Sequence, residues 1–229
     1  MDGIHKLLYY SFMCGGEQPT PSILPKELQA CEYIQSDSNS AIQLNYAALQ
    51  DCVLETRMKK VGASLNTALF GSRQKWQQRM WEFLINANNN YGVGLNNMNQ
   101  AQMLNLTPGD DIIIFGPPSV KVNNNNYTTQ AYTNGNNYNV VLFSCYNGDT
   151  HNILSPTFEG QMYYCKIYDT NMQLRLDLYP CYVKAGKTFI DTKGNTCAPG
   201  TPGLFDIMNN NFYTNDLGGT FTVGPDITL

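Results

Sequence analysis

Hydrophobic and polar positions alternate with period two along most of the chain, in short runs broken by Asn, Gly, Pro and Asp. The clearest run sets Leu174, Leu176 and Leu178 against Gln173, Arg175 and Asp177, the pattern of a strand with one dry and one wet face. Before it, Tyr163, Cys165 and Ile167 lie on one side of a run and Met162, Tyr164 and Tyr168 on the other, so that strand is expected between two layers. Asp169-Thr170-Asn171-Met172 joins the two runs with too few residues for anything but an antiparallel hairpin. Upstream, Cys52, Leu54, Thr56 and Met58 oppose Val53, Glu55 and Arg57 in the same way.

Shorter runs fill the remainder. Two strands flank the polar residues Ser36 to Ser40; Ala68 to Phe70 stops at Gly71; Tyr91 to Leu95 returns after Asn86 to Asn90. Ile112 to Phe115 is closed by Gly116-Pro117-Pro118, and Val140 to Tyr146 reads as a buried strand. Asn134-Gly135 is the strongest short turn signal. Trp76 to Ile85 fits two templates: Trp76, Met80 and Leu84 have helical spacing, whereas Arg79, Trp81, Phe83 and Ile85 alternate. Its aromatic content and its Gly and Asn flanks decide for a strand. Turn signals every 8 to 12 residues or so, without an internal repeat, predict an all-β, antiparallel β-sandwich over residues 23–229. Residues 1–22 read as an extended N-terminal arm, because Gly15-Gly16 and Pro19-Thr20-Pro21 cannot continue a helix or a central strand. Within the arm Leu7, Leu8, Tyr9, Tyr10 and Phe12 are the residues that would add a strand to a neighbour's sheet edge; an edge strand of the chain's own sandwich is the alternative.

Composition narrows the function classes. A net charge of −4 and the lack of a Lys/Arg cluster argue against nucleic-acid binding, which depends on neutralising phosphates. Only 14% of residues are charged, while Tyr and Asn abound, so the surface is expected to be neutral and polar. The apolar run Ile4 to Met13 is shorter than the roughly 20 residues of a membrane span, and Asp2 makes a poor start for a signal peptide. Neither a membrane partner nor secretion is expected. Seven cysteines without paired metal spacing read as free thiols used as small hydrophobes.

Catalytic constellations are sparse. A Ser or Cys nucleophile needs a His base, and of the two histidines His5 lies in the arm and His151 follows a turn. Glu82, flanked two residues away by Met80 and Leu84, reads as a solvated or paired charge rather than a general acid. The chain is therefore expected to be a non-enzyme. The best candidate for ligand binding is an aromatic platform for a glycan, made of Trp76, Trp81 and Tyr91 and bracketed by Arg73, Asn86 and Asn88 to Asn90.

Several motifs carry a resemblance. Tyr163 to Asp169, Arg175 to Pro180, Gly203-Leu204-Phe205-Asp206, Asn210 to Asn215 and Gly219-Thr220-Phe221, with Cys31 to Ser36 and Leu69-Phe70-Gly71-Ser72-Arg73 upstream, resemble the concanavalin-like, or laminin-G-like, jelly-roll domains. Those domains recur in phage virion proteins and in surface proteins of gut bacteria. The resemblance implies a jelly roll and a place in a virion, made in the host cytoplasm. It supports two functions: an auxiliary or decoration protein docking on other virion proteins or copies of itself, the reading favoured by the arm and the neutral surface, or a module that binds surface glycans. Lectin-like relatives also make Ca²⁺ the cofactor to consider, with Asp110, Asp111, Asn147 and Asp149 as its candidate ligands; otherwise no cofactor is expected. Glycosidases of this fold need two carboxylates on one strand face, which no run here supplies.

Overall fold

The computed structural model describes residues 23–48, 52–98, 101–133 and 135–229. The arm, with Leu7, Leu8, Tyr9, Tyr10 and Phe12, lies outside the described residues, as does the first residue of the Asn134-Gly135 turn. Among the described residues there are strands and turns and no helix.

Two sheets face each other across one core, the arrangement of a β-sandwich. The larger runs Asn125–Thr128, Ser119–Val122, Asp110–Gly116, Val53–Lys60, Gly160–Tyr168, Leu174–Val183, Pro202–Asp206, Asn211–Tyr213. Leu28–Ala30 pairs with Leu174–Val183, and Ile34–Gln35 links Gly160–Tyr168 to Thr222–Val223. The smaller runs Asn152–Ile153, Tyr146–Asn147, Thr67–Arg73, Met80–Ile85, Tyr91–Asn96, Gln102–Met103, with Asn139–Leu142 between Ile42–Ala47 and Thr67–Arg73. Pairing is antiparallel except where Tyr146 and Asn147 lie parallel to Ser72 and Arg73.

The core follows from the alternation. Leu54, Thr56 and Met58 point inward from one strand, and Leu176 and Leu178 from another. From the smaller sheet Phe70, Trp81 and Phe83 meet Phe115 of the larger, with ring centroids 4.8 to 5.9 Å apart. Each such aromatic pair contributes about 0.5–1.5 kcal/mol beyond the area it buries. A second cluster, including Leu28, Val183, Phe205 and Phe212, covers one end of the larger sheet under the hairpin of Phe189–Ile190 and Thr196–Cys197. The six described cysteines are buried and outside any disulfide, as expected of small hydrophobes.

Five expectations are corrected. A bulge between Met162 and Tyr164 lets Met162 join Cys165 and Ile167 in the core, while Tyr163 turns outward beneath the Arg57 guanidinium, 4.1 Å from its ring centroid. This strand is central in one sheet, its outer face half-buried, and does not lie between two layers. Asp177 is on the outer face as expected but is buried there. Gly71 does not end its strand, which continues to Arg73. The run from Val140 leaves the sheet after Leu142, where Phe143 takes a left-handed backbone at φ 65.

Candidate functional site

The outer face of the smaller sheet is hollow. In Met80–Ile85 the side chains of Trp81, Phe83 and Ile85 enter the core, which leaves Met80, Glu82 and Leu84 on the other side. Beside Glu82 the register places Gly71 on one neighbouring strand and Gly94 on the other; beside Leu84 it places Ala68 and Gly92. With so little side chain flanking them, Glu82 and Leu84 form the floor of a cleft of about 710 Å³, within the range of roughly 300–1,000 Å³ usual for ligand sites. A Cβ on Gly94 would come 2.8 Å from Glu82 Cγ, and one on Gly71 2.6 Å from Glu82 Cβ. Gly71 also has φ 152, a backbone setting that other residues rarely adopt.

One wall is charged and aromatic. Arg73 Nη1 donates to Glu82 Oε2 at 3.1 Å and more weakly to Oε1 at 3.4 Å, and the Glu82 side chain is only 1% exposed. Burial pushes the Glu82 carboxyl up from its ordinary value, and Arg73 opposes the shift. The Arg73 guanidinium also lies 5.1 Å from the Trp76 ring centroid, a cation–π contact. Trp76 itself is 46% exposed at the cleft mouth. Arg73 Nε is buried without a hydrogen-bond partner.

The opposite rim is a loop of amides. Asn86 Oδ1 accepts from the backbone N–H groups of Asn88 and Asn90, each at 2.9 Å, and Asn89 takes φ 57, so the turn is tied to one shape. Asn66, Asn86 and Asn88 line the cleft with Met103. Cys145, also buried, is adjacent to Glu82; burial and the neighbouring carboxylate hold its thiol well above the usual range, which leaves it unreactive as a nucleophile.

Of the residues expected to form or bracket the glycan platform, Arg73, Trp76, Asn86 and Asn88 come together at this cleft. Trp81 and Tyr91 do not: both are buried in the core, and the Tyr91 hydroxyl donates to Asp111 at 2.8 Å. Their period-two positions place them with Phe83 on the inner face. Asn66, Thr67 and Glu82 are the lining polar residues that the sequence did not single out as ligands. The signal that points to them is Tyr91-Gly92-Val93-Gly94-Leu95, a strand whose outer positions carry no side chains.

The residues considered for calcium are used elsewhere. Asp110 makes a two-pronged pair with Arg57, both contacts 2.9 Å. Asp111 accepts from Tyr91, from the Gly109 backbone and from Asn123 at 2.6 Å. Asn147 Oδ1 accepts from the Asp149 backbone N–H, closing a turn. Asp110 and Asp111 lie on the larger sheet and Asn147 on the smaller, and among the described residues there is no group of three or more His, Cys, Asp or Glu placed to hold a metal ion.

No family model, curated protein or solved structure matches the chain.

Proposed function

We propose that this protein is a carbohydrate-binding module that takes a saccharide in the cleft on the smaller sheet. The observation that carries the reading is Trp76, a half-exposed indole at the mouth of a cleft whose floor holds a buried carboxylate and whose rim holds side-chain amides. A pyranose ring has an apolar C–H face and a periphery of hydroxyls. The indole suits the first, and Glu82 with the Asn amides suits the second, each buried hydrogen bond adding discrimination because an unpaired group would be costly.

The two-sheet architecture accords with reading the fold as a concanavalin-like jelly roll, and the motif resemblance would set such a module on a phage particle facing surface glycans. The other function considered, docking as a virion building block through the arm and the neutral polar loops, turns on residues 1–22, which lie outside the described residues.

A glycan array probed with the full chain and with Trp76→Ala tests the reading. The wild type is expected to bind a restricted set of saccharides, and the variant to lose at least tenfold in affinity, about 1.4 kcal/mol, with an unchanged thermal midpoint. A wild type that binds no saccharide would overturn it.

A further inference from the structure

Trp76 borders a second recess, of about 690 Å³, on the hairpin that joins Thr67–Arg73 to Met80–Ile85. Its lining includes Lys75, Gln78, Arg79 and Asn97 and contains no acidic residue. Lys75 and Arg79 are exposed. Neither belongs to any of the ion pairs formed among the described residues. Arg73, by contrast, is matched by Glu82. The cleft is thus electrically balanced and the recess beside it is not, although the chain as a whole carries −4.

The hairpin is fastened into one shape. Gln78 N–H donates to the Lys75 carbonyl at 3.0 Å, Arg79 N–H donates to Asn97 Oδ1 at 2.9 Å, and Asn136 Nδ2 donates to the Arg79 carbonyl at 2.9 Å. Gln77 and Arg79 take left-handed backbones at φ 68 and φ 47, conformations that persist only where the surroundings hold them. Two cations are therefore presented on a fixed backbone next to the free edge of the indole, an arrangement that lowers the ordering cost of binding.

We propose that Lys75 and Arg79, beside Trp76, form a subsite for the anionic group of an acidic saccharide, a carboxylate or a sulfate ester. The inference rests on the reading of the neighbouring cleft as a saccharide site. A sugar ring at Trp76 spans the boundary between cleft and recess, so an acidic substituent on that ring or on the next residue reaches the unpaired cations, and arginine in particular offers parallel donors to a planar carboxylate. Two cations on one hairpin fall far short of the phosphate-tracking stripe that a nucleic acid needs.

The test uses immobilised glycans in matched pairs: the same backbone with its uronate free or methyl-esterified, and with its sulfate present or removed. The wild type is expected to prefer the acidic member of a pair by about tenfold, with the preference shrinking as salt rises. Whether it falls on the uronate or the sulfate pairs identifies the anion. In the double variant Lys75→Gln/Arg79→Gln the preference is expected to vanish while binding to the neutral member stays; Trp76→Ala is expected to weaken both. Equal binding of acidic and neutral members by the wild type, or a preference that survives the double variant, overturns this inference and leaves the saccharide cleft standing, whereas binding untouched by Trp76→Ala overturns both. A wild type that binds neither member of any pair overturns both.

Discussion

Each sheet carries a glutamate on its outer face, and the two meet opposite fates. On the larger sheet Glu55 accepts hydrogen bonds from the hydroxyls of Tyr164 at 3.1 Å and Tyr168 at 3.4 Å. Lys166 stands opposite both Glu55 and Asp177 in the register, with its ammonium 6.0 Å from the Tyr164 ring centroid. Nearby, Tyr179 is pushed up to about 12 by burial and by Asp177. Long side chains pave this face. On the smaller sheet the places beside Glu82 belong to Gly71 and Gly94, and the face is a cleft. A carboxylate on a sheet therefore becomes a site or a structural group according to the size of its lateral neighbours. Its own strand neighbours are a poor guide: Met80 and Leu84, two residues away along the chain, gave Glu82 no promise.

The contrast is sharpest in stability. Arg73→Ala leaves the Glu82 carboxylate buried without its cation, and losing one partner of a buried pair typically costs about 3–5 kcal/mol. Arg57→Ala breaks a pair whose side chains are 40% and 37% exposed, where about 0–1 kcal/mol is expected. Urea midpoints of the two variants at neutral pH check this; similar losses would mean that the two faces do not differ as described.

Paving the cleft comes next in size. Gly94→Val places side-chain atoms within 2.8 Å of Glu82 Cγ and Oε1, and such overpacking typically costs about 1–3 kcal/mol. Saccharide binding is expected to be lost at temperatures where the variant is still folded by circular dichroism. Retained binding would separate the ligand from this cleft.

The smallest effect concerns pH. Because burial raises the Glu82 carboxyl in the folded protein against the pull of Arg73, the folded chain holds that proton more tightly than the unfolded chain does. The stability this contributes is full below the ordinary carboxylate value and is lost as pH rises through the raised one. Glu82→Gln is expected to lack that falling limb when thermal midpoints are followed from pH 4 upward. An unchanged slope would show that Glu82 does not titrate in a buried setting.

Some of this was legible beforehand. Asp169 caps the hairpin by accepting from the N–H groups of Asn171 and Gln173, and a turn that bonds to itself is written in adjacent residues. Trp76 is the instructive middle case. Neither template for Trp76 to Ile85 fits all of it: the strand begins at Met80, and Trp76 stands on the hairpin before it, whose shape is set by the Gln78–Lys75 bond and by the fastening of Arg79 to Asn97 and Asn136. Trp81 and Trp76 look alike in the sequence, yet one is core and the other is surface.

By itself the sequence determined what period-two alternation and turn chemistry can determine: an all-β chain, its antiparallel hairpins, and inward residues such as Leu54, Met58, Leu176 and Leu178. Those signals act between residues a few positions apart. Tertiary structure alone decided which strands lie side by side, and so placed Gly71 and Gly94 against Glu82, and Tyr164 over Glu55. Lateral neighbours in a sheet are chosen by register between segments distant in the chain, and a cleft is made by side chains those neighbours lack.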